Sequence, residues 1–337
     1  MGGFLAVFGG LVLLQAPPKV EQQVSGTTAR IQAVSAASDR VVWASGTQGT
    51  YLRTTDGGTT WKAARVPGAD SLEFRDVHGF DANRAVLLAA GPGDKSRIYH
   101  TANGGSTWTL VFTNPDPNAF YDCFDFVGAV GVVVSDAVAG HLPLRRTEDG
   151  GRTWVAYQPP GYQAVAAIEG EGAFAASGTC LAMGKDGSAW VGTAKGGRVI
   201  QFGPQTSVVV ETPIVRGAAT AGISTLAFAD GRTGIAAGGD LAKPNEFLNN
   251  VVVTSDGGRT WTLAGRPSFT GSVYGLSYVP GRAGTVVAVG PKGAAWSSDG
   301  GQTWRALDGG DYWGIGFAAT GAGWIAGPAG RIARVRW

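Results

Sequence analysis

An eight-residue pattern, Ser/Thr-x-Asp/Asn-Gly-Gly-x-Thr-Trp, recurs along this chain and limits what it can fold into. It reads Thr54-Thr-Asp56-Gly-Gly-Thr-Thr-Trp61, Thr101-Ala-Asn103-Gly-Gly-Ser-Thr-Trp108 and Thr147-Glu-Asp149-Gly-Gly-Arg-Thr-Trp154. It returns as Thr254-Ser-Asp256-Gly-Gly-Arg-Thr-Trp261 and Ser297-Ser-Asp299-Gly-Gly-Gln-Thr-Trp304. The third positions are separated by 47, 46, 107 and 43 residues. The long step holds two periods, and Gln201-Phe-Gly203-Pro-Gln-Thr-Ser-Val208 lies midway, with the spacing kept and the chemistry gone. A regular period of this length is that of a four-stranded propeller blade.

Each copy follows an apolar strand and a glycine-bounded turn, as in Trp43-Ala-Ser-Gly46-Thr-Gln-Gly49 and Val287-Ala-Val-Gly290-Pro-Lys-Gly293. The units run over about 28–66, 69–113, 120–158, 162–212, 217–266 and 270–309, and a short seventh starts at 311. That last unit stops where its outermost strand would begin. Val20-Glu-Gln-Gln-Val-Ser25 precedes the first unit and can fill the gap, which would remove an open sheet edge. The expectation is an all-β, seven-bladed propeller of four antiparallel strands per blade, spanning 17–337 as a single domain and closed by an N-terminal strand.

Within each repeat, an Asp or Asn side chain can accept the N–H groups of its own turn, and paired glycines tolerate positive φ. The tryptophan offers a large apolar wedge toward a neighbouring blade. Asp56, Asn103, Asp149, Asp256 and Asp299, with Trp61, Trp108, Trp154, Trp261 and Trp304, are therefore expected to be structural. The neutral Asn103 suits a turn better than catalysis.

Met1 to Leu14 is an apolar run ending at Gln15-Ala16-Pro17-Pro18, with no Lys or Arg before it. It is too short to span a bilayer and reads as a signal segment over residues 1–16, placing the mature chain in the periplasm or outside the cell. No membrane span is expected after its removal. The net charge of +2 and the lack of any block of like charges exclude a nucleic-acid footprint. Cys123 and Cys180 are too few for a disulfide scaffold and read as small buried hydrophobes, with oxidation possible outside the cytoplasm.

The repeat resembles that of the Asp-box (BNR-repeat) propellers, among them sialidases, sortilin-type receptors and photosystem II stability/assembly factors. The short blades over 28–337 are most similar to the assembly-factor group. Phe74-Arg-Asp-Val-His-Gly-Phe80, Gly172-Ala-Phe-Ala-Ala-Ser-Gly-Thr179 and Gly238-Gly-Asp-Leu-Ala-Lys-Pro-Asn245 also resemble an exported bacterial branch of that group. The resemblance implies a scaffold docking a membrane-protein partner through arginines, of which there are 20 against 7 lysines. A sialidase is disfavoured, because Ala29-Arg-Ile-Gln32 lacks the aromatic and proline of that family's early motif.

No nucleotide, zinc-protease or serine-hydrolase motif is present, so no cofactor and no metal are expected and catalytic residues are unknown. His78, His100 and His141 are scattered. The resemblance places binding on the end opposite the repeated turns, where loops join successive blades and second to third strands. Candidates there are Arg75, Asp76, Asp122, Asp136, Glu169, Glu171, Asp240, Lys243, Glu246, Tyr312 and Trp313, with Asp94, Lys95, Arg97, Tyr121, Asp125 and His141 nearby. Glu169 and Glu171 would face the same side of a strand, a spacing that permits glycoside hydrolysis, and Tyr312-Trp313 would form a stacking platform. The expected function is an exported, monomeric, non-enzymatic propeller binding a protein of the cell envelope. The alternative is a glycan binder or glycoside hydrolase-like enzyme working from the central funnel.

Overall fold

A computed structural model describes residues 17–337, and the apolar stretch read as a signal lies outside them. The described residues form seven four-stranded antiparallel sheets. Their first strands are Ile31–Ala36, Phe74–Gly79, Tyr121–Val127, Leu181–Met183, Ala221–Phe228, Gly275–Tyr278 and Gly314–Phe317. These seven strands contact one another in sequence around the ring, and the last also contacts the first. The blades are numbered here in that order. In blade 7 the outermost strand is Lys19–Gln23, paired antiparallel with Ile332–Arg336 and placing Val20 opposite Val335. The N-terminal strand thus closes the ring.

Antiparallel order dictates which end of each blade carries what. Turns between strands one and two, and between three and four, share one end. The turns between strands two and three share the other end with the links between blades. The repeated Asp/Asn turns join strands three and four, so all five lie at the first end.

There is no single core. The described residues form seven apolar clusters, one at each joint between consecutive blades. A blade buries its faces only against its neighbours, so the ring stands or falls as a whole. The tryptophan of each repeated turn sits in the joint with the preceding blade. Trp61 reaches the closing strand, its Nε1 donating to Gln23 Oε1 at 3.0 Å. Trp108 packs edge-on against Trp43 and Tyr51 of blade 1. Trp154 joins Val86 and Leu88 of blade 2, Trp261 joins Trp190 of blade 4, and Trp304 packs with Ile235 of blade 5.

In the repeated turn, the aspartate gathers its own loop. Thr54 Oγ1 donates to Asp56 Oδ1 at 2.8 Å, the Thr60 N–H donates to Oδ1 at 2.9 Å, and Thr60 Oγ1 donates to Oδ2 at 2.6 Å. Asp149, Asp256 and Asp299 repeat this arrangement. At Asn103 the Thr107 N–H still donates to Oδ1, while Nδ2 now donates to Thr107 Oγ1 at 2.9 Å. The hydroxyl turns from donor to acceptor and the loop survives. Both glycines of all five turns have φ between 71° and 90°, a region costly for any residue with a Cβ. In blade 4, by contrast, a tight turn from Gly203 to Thr206 stands in their place, and Val208 is 39% exposed where the others have tryptophan.

Replacing the buried Trp261 by alanine is expected to cost about 3–5 kcal/mol, the range for large aromatic truncations. Val208→Ala should change stability by no more than about 0.5 kcal/mol, as for exposed positions. Chemical denaturation of the two variants checks the contrast.

Candidate functional site

The end opposite the repeated turns owes its geometry to β-bulges in the inner strands. Register shifts leave Gln32, Arg75, Asp122 and Ser224 unpaired in blades 1, 2, 3 and 5. A bulge re-aims a side chain out of the alternation of its strand. Arg75 uses this freedom to reach Glu73, its Nε and Nη2 donating to Oε2 at 3.0 and 2.7 Å. Arg30 of blade 1 pairs with the same carboxylate at 3.4 Å. The guanidinium of Arg30 also lies 4.5 Å from the ring centre of Trp313, which meets Tyr274 of blade 6 edge-on at 4.9 Å. One surface therefore runs from blade 2 through blades 1 and 7 to blade 6. The side chains of Arg30, Glu73 and Arg75 are each about a third exposed.

The centre of this end is not an open funnel. Gly172–Thr179, the link that leads into blade 4, crosses it. Arg75 Nη1 donates to the Ala175 carbonyl at 3.4 Å, on the blade 2 side. Ser177 Oγ donates to the Tyr274 carbonyl at 2.7 Å, on the blade 6 side. Thr179 Oγ1 meets Thr225 Oγ1 of blade 5 at 2.7 Å, and the Leu226 N–H donates to the Thr179 carbonyl at 2.9 Å. Ala173, Ala175, Ala176 and Ser177 are buried. At Gly178 φ is +77° and the Asp76 carboxylate lies where a Cβ would be, so this position needs glycine twice over.

The acidic candidates serve this packing. Asp76 is buried and accepts the Phe124 N–H of blade 3 at 2.8 Å, and Asp125 accepts the Met183 N–H of blade 4 at 2.8 Å. Asp136 accepts the Ala173 N–H at 3.0 Å and faces Asp122, whose Oδ2 is buried without a partner. Burial pushes the carboxyls of Asp125 and Asp136 up to about 6 and those of Asp76 and Asp122 well above the ordinary range. The Asp136 charge raises Asp122 further, and Arg75 opposes the rise.

Several expectations need correcting. Glu169 and Glu171 are not on a strand; they belong to a turn closed by the Glu171 N–H donating to the Ile168 carbonyl. Glu169 is exposed, while Glu171 is buried and paired with Arg198, which also donates to the Ala166 carbonyl. The two glutamates do not form a hydrolytic pair. Tyr312 is fully buried and bridges Gln22 and Asp308, so only Trp313 is available for stacking. Asp240 is held by Thr220 and its own loop, and Lys243 pairs with Glu246 at 3.4 Å in the exposed blade 5 loop. Asp94 pairs with Arg97 beside Lys95, and Tyr121 is buried and accepts from Arg145 Nε. The histidines stand apart: His78 lies between Phe80 and Phe126, His100 is buried in blade 2, and His141 stacks on Tyr162.

Cys123 and Cys180 are fully buried as expected, but they are not two separate small hydrophobes: they are joined as a disulfide with Cα atoms 6.1 Å apart. The residues missed from sequence are Arg30, Glu73 and Tyr274. Arg30 and Glu73 immediately precede the inner strands of blades 1 and 2, and Tyr274 precedes that of blade 6 as Trp313 precedes that of blade 7; these positions were the available signal.

The raised carboxyls stabilise the fold when protonated. The contribution of Asp125 and Asp136 is complete below the unfolded value near 3.8 and is lost as pH rises through about 6. The Asp136 carboxyl should therefore contribute about 1 kcal/mol more stability at pH 5 than at pH 7.5, while His78, whose imidazole burial holds down to about 4, acts in the opposite sense over the same window. Asp136→Asn keeps the acceptor for Ala173 and should reduce that gain, as scanning calorimetry at the two pH values would show.

No protein-family model matches the chain. A stretch of 112 residues, 33% of the chain, is 28% identical to the photosystem II assembly protein Ycf48 of Synechococcus sp. (strain JA-2-3B'a(2-13)). The match spans about a third of that relative, 32% of its length. Among solved structures, YCF48 bound to D1 peptide superposes with a TM-score of 0.66 at 20% identity, over 96% of this chain and 98% of that one. A streptogramin B lyase superposes equally well, with a TM-score of 0.66 at 13% identity over 95% and 98% of the two chains. At such identities the superpositions establish the fold alone. The chain is a seven-bladed propeller with low-identity homology to the photosystem II assembly protein Ycf48.

Proposed function

We propose that this chain is an exported, non-enzymatic propeller that docks a protein partner on the surface formed by Arg30, Arg75, Tyr274 and Trp313. The observation that carries the reading is the crossing of the central axis by Gly172–Thr179, with Arg75 on one side and Tyr274 on the other. What faces solvent there is a shallow arginine and aromatic surface rather than a deep acidic funnel. Two guanidiniums share the single carboxylate of Glu73, which leaves positive charge for a partner. Arginine and large aromatics are the side chains that most often anchor protein interfaces. Of the acidic candidates, Glu171 is engaged by Arg198 and Asp136 by the Ala173 N–H.

The similarity to Ycf48 supports a protein partner, because a Ycf48 structure holds a D1 peptide. The buried disulfide and the apolar stretch over Met1 to Leu14 support an oxidising compartment and an exported chain.

The test is crosslinking capture from the native envelope with wild type, an Arg30→Glu/Arg75→Glu variant and a Lys243→Glu control. Arg30 and Arg75 are on the proposed surface; Lys243 is in the blade 5 loop. Loss of tenfold or more of one captured envelope protein in the double variant, with the control unchanged, is the expected result. Equal capture by all three forms, or measurable glycan hydrolysis by the wild type, would overturn the reading.

A further inference from the structure

The joint between blades 3 and 4 differs from those beside it. Five joints hold the tryptophan of a repeated turn, whereas here the corresponding residue is the exposed Val208. The Cys123–Cys180 bond lies in this same joint, within the cluster of Leu142, Tyr162, Leu181 and Phe202. Cys180 is also the residue that immediately follows Gly172–Thr179. A covalent bond thus stands in one of the two joints that lack the wedge, at the end of the segment that fills the axis; the other, between blades 6 and 7, holds Trp296 and Trp337 instead.

That segment has little else of its own to hold it. It contains no strand, and its one ladder contact is the bridge of Gly172 to Ala194. Its head is fixed by the buried Glu171–Arg198 pair and its tail by Cys180. Between them stand the isolated bonds from Asp136, Arg75, Ser177 and Thr179. Short stretches with few ladder hydrogen bonds are the first to open in native proteins.

We propose that the Cys123–Cys180 disulfide is a redox latch that keeps Gly172–Thr179 seated across the axis, and that its reduction frees this segment while the seven blades stay folded. The reductant is a dithiol of the thioredoxin class. Its thiolate attacks one sulfur to form a mixed disulfide, and its second thiol resolves that bond. Two electrons and two protons pass to Cys123 and Cys180, and the dithiol leaves as a disulfide. Both sulfurs are fully buried, so exchange follows a local opening, and the oxidised form persists where no reductant is supplied. Release would remove the Ala175 carbonyl from Arg75 and uncover Asp76 beside Gly178. Reduction would thereby rearrange the centre of the arginine-bearing end, a consequence that rests on the docking reading above; the latch itself does not.

Hydrogen exchange by mass spectrometry tests the latch on the full chain in three forms: oxidised, reduced with dithiothreitol, and Cys123→Ser/Cys180→Ser. Alkylation confirms the thiol state. The amides of 172–179 should exchange at least tenfold faster in the reduced and double-serine forms, with Val286–Gly290 of blade 6 unchanged. Equal protection of 172–179 in all three forms would overturn the proposal. So would faster exchange throughout the ring, which would make the bond a general stabiliser. Partner capture is not read here, so this result and that of the docking experiment stand or fall separately.

Discussion

A blade of this propeller cannot bury its own faces, and everything else in the molecule depends on how each inner strand is tied to the next. The apolar clusters at the joints supply most of the driving force, since burial of apolar surface dominates folding. They are non-directional, however, and would tolerate sliding of one blade against another. Register comes from side chains that accept a backbone N–H of the following blade. Ser35 accepts from Gly79, Asp76 from Phe124, Asp125 from Met183 and Thr225 from Leu276. Two of these acceptors are carboxylates, and burial opposes their ionisation. Their value lies in the N–H groups they satisfy, which would otherwise be buried without partners.

Blade 4 shows what happens when one element of that plan is missing. Without the Asp/Asn turn and its tryptophan, the joint to blade 3 acquires a disulfide, a stacked His141–Tyr162 pair and, nearby, the buried Glu171–Arg198 pair. A buried ion pair is weak evidence for added stability, because desolvation offsets much of the attraction. Here it has a geometric role, since Arg198 also donates to the Ala166 carbonyl and Glu171 accepts the Ile168 N–H. Together they shape the turn from which the axial segment departs.

The period of the repeats made the blades, their order and the closing strand legible, because local turn chemistry recurs at fixed intervals whatever the surroundings. Individual site residues were less legible for a physical reason. Arg75 meets Ala175, Glu171 meets Arg198 and Ser177 meets Tyr274 across separations set by ring geometry, which no local pattern encodes. Tyr312 looked available because it begins a blade, yet the closing strand brings Gln22 over its hydroxyl. One further signal is written in the sequence itself. Gly172-Ala-Phe-Ala-Ala-Ser-Gly-Thr179 is rich in small residues, as a chain threading the narrow centre of a ring must be.

Filling the axis with the chain's own backbone changes what kind of recognition this end can perform. A funnel encloses a small ligand and removes it from water, which lets a few polar groups act strongly. A filled axis offers only a partly solvated surface, where an exposed arginine contributes little until a partner displaces the water around it. Such a surface gains affinity by area and by covering Arg30, Arg75 and Trp313 together, which a macromolecule can do and a monosaccharide cannot. The same fold in a streptogramin B lyase shows that the ring itself does not choose between these outcomes. On the docking reading, the choice in this chain falls to the eight residues between Glu171 and Cys180, held at one end by an ion pair and at the other by a disulfide.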